Sequence, residues 1–283
     1  MDQESVLAVC GRFIEDKVKA QGGVPTFHDN DVRWLLNIVQ GEEQAGIPDA
    51  AVTRALKELE EFAELISRDR YQDALARLAR PVPVVLERRA VDLRSYASAQ
   101  GVTVCPTWAG LPLFKTVYDS LMYPTLISEL NPGAIIELGS GSGGSARWLA
   151  DITSANRHTT SIVSVDIKPV SLPDERIDFI QGDLNDIQNV LGSAVSSLPH
   201  PWLVIEDAHV NTSGVLCFFD KAFEPGDYMI VEDSLSKRPQ ITEFLQSAVR
   251  SYALDAKYAD MFGENCTCAI DSILVCRQGA RAA

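Results

Sequence analysis

The chain has 283 residues, a net charge of −14 and a hydrophobic content of 46%, values typical of a soluble globular protein with about two domains. The excess of acidic residues argues against a nucleic-acid partner, because phosphate binding needs clustered lysine and arginine. No apolar run approaches the ~20 residues that span a bilayer. The N-terminus lacks the basic-then-apolar pattern of a secretory signal. We therefore expect a cytoplasmic protein that binds neither nucleic acid nor a membrane.

Residues 1–100 are predicted to form a helical region. Apolar residues recur at helical spacing near the N-terminus, again over 31–40, and along a third segment that begins at Pro48. Tyr71, Leu75 and Leu78 extend this last pattern until Pro81 and Pro83 end it. We interpret the region as a cap on a substrate pocket or as an oligomerisation module, and we expect a homo-oligomer.

Residues 101–283 show apolar strands that alternate with helical patterns, which predicts a doubly wound α/β domain with a mostly parallel sheet. A helix is predicted over 118–130, ahead of the first central strand. The predicted strands are 134–138, 161–165, 177–181, 202–205, 228–231, 256–261 and 270–276. The predicted helices that follow them are 145–153, 187–198, 215–223 and 239–252.

A glycine-rich segment, GAIIELGSGSGG over 133–144, joins the first of these strands to a helix that Ser145 is placed to cap. A strand, a glycine turn and a helix N-terminus together let a ligand approach the backbone closely. Gly139, Gly141 and Gly144 match the GxGxxG pattern, and Asp166 follows about 20 residues later, as in nicotinamide dehydrogenases. The segment therefore predicts a site for a nucleotide-like molecule.

Acidic residues outside that pattern favour S-adenosylmethionine over a nicotinamide cofactor. Glu137 lies two residues before the first glycine, where it orients the loop or contacts the amino-acid end of the donor. Asp166 is assigned to the ribose hydroxyls, and Asp183 with Leu184 to the adenine. The complete predicted donor site is Glu137, Gly139, Ser140, Gly141, Ser145, Asp166, Asp183 and Leu184.

Two acidic pairs follow neighbouring strands, Glu206 with Asp207 and Glu232 with Asp233, and His209 lies close behind the first. In an open parallel sheet these side chains meet at one edge. Clustered carboxylates repel one another unless a cation offsets their charge, and oxygen ligands suit Mg²⁺. The imidazole of His209 can accept a proton near neutral pH.

Five stretches of the chain resemble the cephalosporin hydroxylase family of S-adenosylmethionine-dependent methyltransferases, which is related to macrolide-sugar O-methyltransferases. They are PTWAGLPLFKTVYD (106–119), IIELGSGSGGS (135–145), VIEDAHVNT (204–212), GDYMIVEDS (226–234) and FGENCT (262–267). The resemblance covers roughly 105–277. It implies a Rossmann-like class I methyltransferase sheet of seven strands, with a methyltransferase domain over 101–283.

The resemblance also implies a divalent ion, usually Mg²⁺, held by Glu206, Glu232 and Asp233, with His209 as general base. The family usually has aspartate where this chain has Glu206, three residues before the histidine. Three interpretations follow: Glu206 reaches the ion, Asp207 replaces it, or ion binding has weakened.

These patterns predict an O-methyltransferase that acts on a hydroxyl of a small specialised metabolite, with S-adenosylmethionine and a divalent cation. Two other hypotheses stay open at this point. One is an NAD(P)-linked oxidoreductase or hydroxylase component, and the other is a non-catalytic scaffold that binds the donor for a partner enzyme.

Overall fold

The computed structural model describes residues 67–91 and 93–280 together with scattered positions between 13 and 65. The chain divides into two compact units, 1–69 and 70–283. In the first unit, Phe27 and Ala63 are buried and pack against partly buried Phe13, Leu56 and Leu59. About half of the predicted helical region 1–100 lies outside the described residues, including most of the predicted segment 31–40.

The second unit begins at Arg70, earlier than the boundary at residue 101 that the sequence suggested. Tyr71 lies in a short strand, β1 (Tyr71–Gln72), and not in a continuing helix. Helix α1 (Ala74–Leu78) follows, and its Arg77 pairs with Asp271 at 2.7 Å and with Asp260 at 2.9 Å. These buried charges fix the segment to the domain, which periodicity alone does not reveal.

The remaining helices of this unit flank its sheet. Pro81 and Pro83 begin a helix, because proline is tolerated in the first turn, where its missing N–H has no partner to lose. The helices are α2 (Val82–Arg88), α3 (Leu93–Ser98), α4 (Asp119–Leu130), α5 (Gly144–Ala155), α6 (Ile187–Val195), α7 (Thr212–Asp220), α8 (Arg238–Ser247) and α9 (Ala256–Ala259). Among the described residues, no helix is long and apolar enough to cross a bilayer.

Among the described residues, eight strands form the central sheet, which confirms the doubly wound, mostly parallel class. Six of the seven predicted strands are present, and β1 and β9 were not predicted as strands. Besides β1, the strands of the sheet are β4 (Ala134–Leu138), β5 (Ser161–Asp166), β6 (Ile177–Gln181), β7 (Trp202–Glu206), β8 (Tyr228–Val231), β9 (Arg250–Asp255) and β10 (Ile273–Ala280). Their order is β1-β9-β10-β8-β7-β4-β5-β6, and β4 to β8 run parallel. A two-stranded hairpin, β2 (Thr107–Trp108) with β3 (Leu111–Pro112), stands apart from this sheet.

The sequence assigned two C-terminal elements wrongly. Residues 250–255 form strand β9, not the end of a helix, because Arg250 and Val249 donate backbone bonds to Asp220 and the segment pairs with β10. The predicted strand over 256–261 is instead helix α9, since the Asp255 carboxylate accepts the Lys257 N–H and caps it. Both outcomes depend on partners far along the chain.

The strand order places a topological switch beside β4. The chain continues from β4 through β5 to β6 on one side, and then returns to lay β7 on the other side. Loops leaving β4 and β7 at the carboxyl edge therefore diverge and open a crevice between them. All five residues of each of these two strands are buried, so the crevice rests on a rigid core.

Candidate functional site

A cavity of about 520 Å³ opens at the carboxyl edge of the sheet. Every parallel strand contributes to its lining, through Gly139, Asp166, Gly182, Asp207 and Glu232. A smaller cavity of about 60 Å³ adjoins it at the glycine loop, where Ser140 and Ser145 line the wall. Predicted site residues that follow different strands therefore line the same cavity or the smaller one next to it.

Glycine at two positions allows the loop after β4 to pack closely. Gly139 has a φ of 109°, and a Cβ there would lie 2.7 Å from the Asp207 carbonyl oxygen. A Cβ on Gly144 would lie 2.0 Å from the carbonyl oxygen of Pro112 in the hairpin. Helix α5 is preceded by Gly143 at a φ of 85°, so Ser145 lies in its first turn and is not its cap.

Glu137 supports the glycine loop from beneath and does not line the cavity. Its carboxylate is buried and accepts the Ser164 hydroxyl at 2.5 Å, and that hydroxyl lies 2.6 Å from the hydroxyl of Ser140. Burial raises the pKa of Glu137, while bonds from Ser145 and Ser164 act against the shift. The first of the two roles predicted for Glu137, orienting the loop, matches this placement.

Asp166 lines the cavity and also ties the glycine loop to β5. Its two oxygens accept the backbone N–H groups of Gly141 at 2.8 Å and Lys168 at 2.9 Å. A carboxylate oxygen has two lone pairs, so each of them can still accept a bond from a ligand hydroxyl. Asp166 can therefore accept bonds from ribose hydroxyls, as predicted, in addition to the two backbone N–H groups.

Asp183 and Leu184 lie at the β6 side of the same cavity. The Asp183 carboxylate accepts the N–H of Asn185 at 2.9 Å and caps the 3₁₀ turn Leu184–Asp186. Leu184 is buried and gives the cavity an apolar wall, while Ile167 and Val210 line it with exposed apolar side chains. This wall fits a flat, apolar ring system.

Asp207, His209 and Asp233 form a compact cluster whose ligand atoms lie within 4.8 Å of one another. The Nε2 atom of His209 lies 3.4 Å from Asp207 Oδ1 and 3.5 Å from Asp233 Oδ2. His209 and Asp233 have φ values of 57° and 48°, in the left-handed region. Non-glycine residues there cost about 1 kcal/mol each and concentrate at functional sites.

Glu232 lines the cavity but turns its carboxylate inward, to groups that the sequence interpretation did not include. Lys115 Nζ donates to it at 2.5 Å, and the Tyr123 hydroxyl donates to its other oxygen. Burial acts to raise the pKa of Glu232, but the charge of Lys115 together with the hydrogen bonds to Lys115, Tyr123 and Asp207 lowers that pKa. Burial and the nearby Glu232 charge raise the pKa of Asp207 to about 8.

Glu206 is not part of the cluster. It is completely buried, and its Oε2 accepts a bond from Lys237 Nζ at 2.8 Å, while Oε1 has no hydrogen-bond partner among the residues that the structure describes. Asp207, and not Glu206, lies in the cluster, which is the arrangement that the second of the three interpretations above requires. Of the predicted ion ligands, Asp233 lies in the cluster, Glu232 borders it, and Glu206 points away.

Sequence reasoning missed Lys115 as a site residue although it lies inside the matching stretch 106–119. A lysine between apolar residues in a loop has no periodic signal, and its partner Glu232 is 117 residues away. The hairpin β2–β3 brings it to the carboxyl edge of the sheet. Phe114 beside it is 72% exposed and lines the main cavity.

Comparison with known proteins confirms the resemblance: residues 100–235 match the family model described as Rhamnosyl O-methyltransferase/CmcI. The chain is 31% identical over 151 residues to the rhamnosyl O-methyltransferase of Mycobacterium leprae (strain TN), covering 49% of this chain and 65% of that protein. The corresponding protein of Mycobacterium bovis (strain BCG / Pasteur 1173P2) is 28% identical over 139 residues, covering 45% and 56%. The aligned part therefore spans less than two thirds of these curated relatives.

Two solved structures show the same fold over most of this chain. The CmcI apo-structure has a TM-score of 0.55 at 23% identity and covers 83% of this chain and 98% of its own. The CmcI structure with Mg and SAM has a TM-score of 0.53 at 23% identity, covering 84% and 99%. At this identity the likeness establishes the fold.

Proposed function

We propose that this protein is an S-adenosylmethionine- and divalent-metal-dependent O-methyltransferase that acts on a hydroxyl of a small specialised metabolite. One observation carries the proposal: a single cavity combines a glycine loop at the switch point with the cluster of Asp207, His209 and Asp233. A dehydrogenase has no need of such a cluster beside its nucleotide site. The matches to rhamnosyl O-methyltransferases support the same reaction class.

The residues of the cavity fit the donor. Gly139 and Gly141 let it approach the backbone, Asp166 offers acceptor oxygens for ribose hydroxyls, and Leu184 offers an apolar wall for adenine. The CmcI structure described with Mg and SAM supports this assignment. Glu137 acts indirectly, by holding the loop through Ser164.

The cluster also fits a divalent ion. Asp207 and Asp233 supply oxygen ligands within reach of one centre. Burial and the neighbouring Glu232 charge raise the pKa of Asp207, and a divalent ion would offset both effects. When bound, such an ion stabilises the negative charge that develops on a substrate oxygen. Carboxylate oxygens are ligands that suit both Mg²⁺ and Mn²⁺.

An alcohol becomes a good nucleophile only when its proton leaves. His209 is 53% exposed and is held between two carboxylates, so its imidazole can take that proton at the mouth of the cavity. The remaining work is alignment of the oxygen with the methyl group, which the rigid strand ends provide. The first acceptors to test are glycosides with free sugar hydroxyls, because the curated relatives are named for rhamnosyl methylation.

Calorimetric titration with S-adenosylmethionine and with NADH, followed by measurement of S-adenosylhomocysteine formation across an acceptor panel, tests the proposal. We expect donor binding, no NADH binding, and turnover that needs Mg²⁺ or Mn²⁺ and stops in EDTA. Binding of NADH instead would overturn it. Donor binding without turnover on any acceptor would favour a scaffold.

The variant His209→Gln distinguishes two possible roles of His209, that of general base and that of ion ligand. As a base, His209 contributes about 10²- to 10⁴-fold to turnover, and its loss leaves donor affinity and the ion-induced rise in Tm unchanged. His158→Gln is the control, because His158 does not line the cavity. Turnover in His209→Gln equal to that of the control would remove His209 from the mechanism.

A further inference from the structure

Lys115 is a buried lysine at the inner wall of the carboxylate cluster. Its side chain is 3% exposed, and Nζ lies 2.5 Å from Glu232 Oε2 and 3.6 Å from Asp207 Oδ2. It also lies over the ring of Tyr123, whose hydroxyl donates to the second oxygen of Glu232. Both oxygens of Glu232 are therefore occupied by groups of this chain.

Two acidic side chains hold the ammonium group of Lys115, Glu232 at 2.5 Å and Asp207 at 3.6 Å. A carboxylate this close favours the charged form of a lysine. Lys115 therefore places one positive charge between the buried Glu232 and the cluster residue Asp207.

We propose that Lys115 is the built-in counter-cation of this cluster: it holds Glu232 in place when no divalent ion is bound, and so sets the affinity of the site for that ion. The inference rests on the proposed function only in placing an ion at Asp207 and Asp233. Lys115 is thus a positioning residue, acting through Glu232 and Asp207.

Two consequences follow from the charge balance. Without Lys115, Glu232 is a buried carboxylate with no counter-charge, which destabilises the ion-free protein. At the same time, an entering divalent ion no longer meets a positive charge 3.6 Å from one of its ligands, so it binds more tightly. If Lys115 only filled space, its replacement would destabilise the ion-free protein without tightening the binding of the divalent ion.

The chain offers a matched control in the pair of Lys237 and Glu206. Lys237 is buried, its Nζ lies 2.8 Å from Glu206 Oε2, and Glu206 is buried as well. Glu206 does not line the main cavity and is not in the cluster. Lys237→Met therefore removes an equivalent buried charge without touching the ion ligands.

The experiment compares Tm for the full-length wild type, Lys115→Met and Lys237→Met, first in EDTA and then across a titration with MgCl₂. We expect both variants to melt well below the wild type in EDTA. Magnesium should raise the Tm of Lys115→Met by more than that of the wild type, and the Mg²⁺ Kd of this variant should fall about tenfold or more. Lys237→Met should respond to magnesium no more than the wild type does.

A magnesium response of Lys115→Met equal to that of Lys237→Met would overturn the inference. If Lys115→Met does not fold in EDTA, the double variant Lys115→Met with Glu232→Gln decides, because it removes both charges of the pair. We expect this double variant to fold in EDTA; failure to do so would mean that Lys115 acts through packing alone.

The outcome is separable from that of the proposed function. Absence of S-adenosylmethionine binding by the wild type would overturn the proposed function and leave the magnesium titration interpretable. Normal turnover by the wild type, with identical magnesium responses in all three proteins, would overturn only the role given to Lys115.

Discussion

The two acidic pairs at the sheet edge have the same local plan and different surroundings. In each pair the glutamate is buried and bonded to a buried lysine, Glu206 to Lys237 and Glu232 to Lys115. In each pair the following aspartate, Asp207 or Asp233, reaches the cavity.

The two pairs differ in the position of the buried lysine relative to the cluster of Asp207, His209 and Asp233. Lys115 lies 3.6 Å from Asp207 and so couples both pairs to the cluster, whereas Lys237 contacts Glu206 away from it. The same dipeptide therefore places an aspartate in the cluster in both pairs, but only one of the two buried lysines lies beside that cluster. Motif matching alone does not distinguish the two glutamates, whereas the structure places Glu232 at the border of the cluster and Glu206 outside it.

The largest effect expected is on turnover when the cluster loses a carboxylate. Asp207→Asn should lower turnover by about 1,000-fold or more, because an ion that stabilises the substrate oxyanion loses a charged ligand. Methyl transfer and the magnesium-induced rise in Tm are the measurements. Asp186→Asn, an exposed carboxylate that does not line the cavity, is the control. A normal magnesium response in Asp207→Asn would return the ligand role to Glu206.

A large effect on stability alone is expected away from the cavity. Asp271 is buried and accepts bonds from Arg77, Arg80 and Arg238. Asp271→Asn should lower the free energy of unfolding by about 3–4 kcal/mol, because buried Arg238 loses its carboxylate partner while Arg77 and Arg80 each lose one of two. Urea unfolding checks this value, and the magnesium response should stay as in the wild type. A lost magnesium response would mean that the two charged regions are coupled.

Removing the Asp166 carboxylate should weaken donor binding by about 10- to 100-fold, since hydrogen bonds to a charged group are worth about 1.5–3 kcal/mol. Asp166→Ala loses both the loop contact to Gly141 and the expected ribose contact. Titration calorimetry measures the affinity. Asp178→Ala, an exposed position within β6, serves as the control. Equal donor affinity in the two variants would contradict the ribose assignment.

The smallest effect is expected at the surface. Glu129 pairs with Lys257 while both side chains are about 40% exposed. Glu129→Gln should change the free energy of unfolding by less than about 1 kcal/mol, because water screens exposed ion pairs. A larger loss would mean that the bond from Tyr258 to Glu129 carries the contact.

Much of the fold was predictable because its signals are local. The bounds of β4, β6 and β8 match the predicted ranges. For β4 and β8, a run of four or five apolar residues between turn residues is too short for a typical helix and predicts a buried strand. The C-terminal elements were mispredicted because β9 depends on Asp220 and on pairing with β10, both distant in sequence. The segment 70–100 belongs to the second compact unit for a similar reason, because Arg77 bonds to Asp271, 194 residues away.

For the candidate site, the sequence determined which residues gather at one edge, because parallel strands must end together and each ends in glycine or an acid. Only the tertiary structure decided which carboxylate of each pair faces the cavity. That choice depends on two buried lysines, Lys115 and Lys237, that draw the glutamates inward, and on the left-handed backbone at Asp233. A buried charge needs a partner of opposite charge. The tertiary structure determines that partner, and the adjacent residues in the sequence do not.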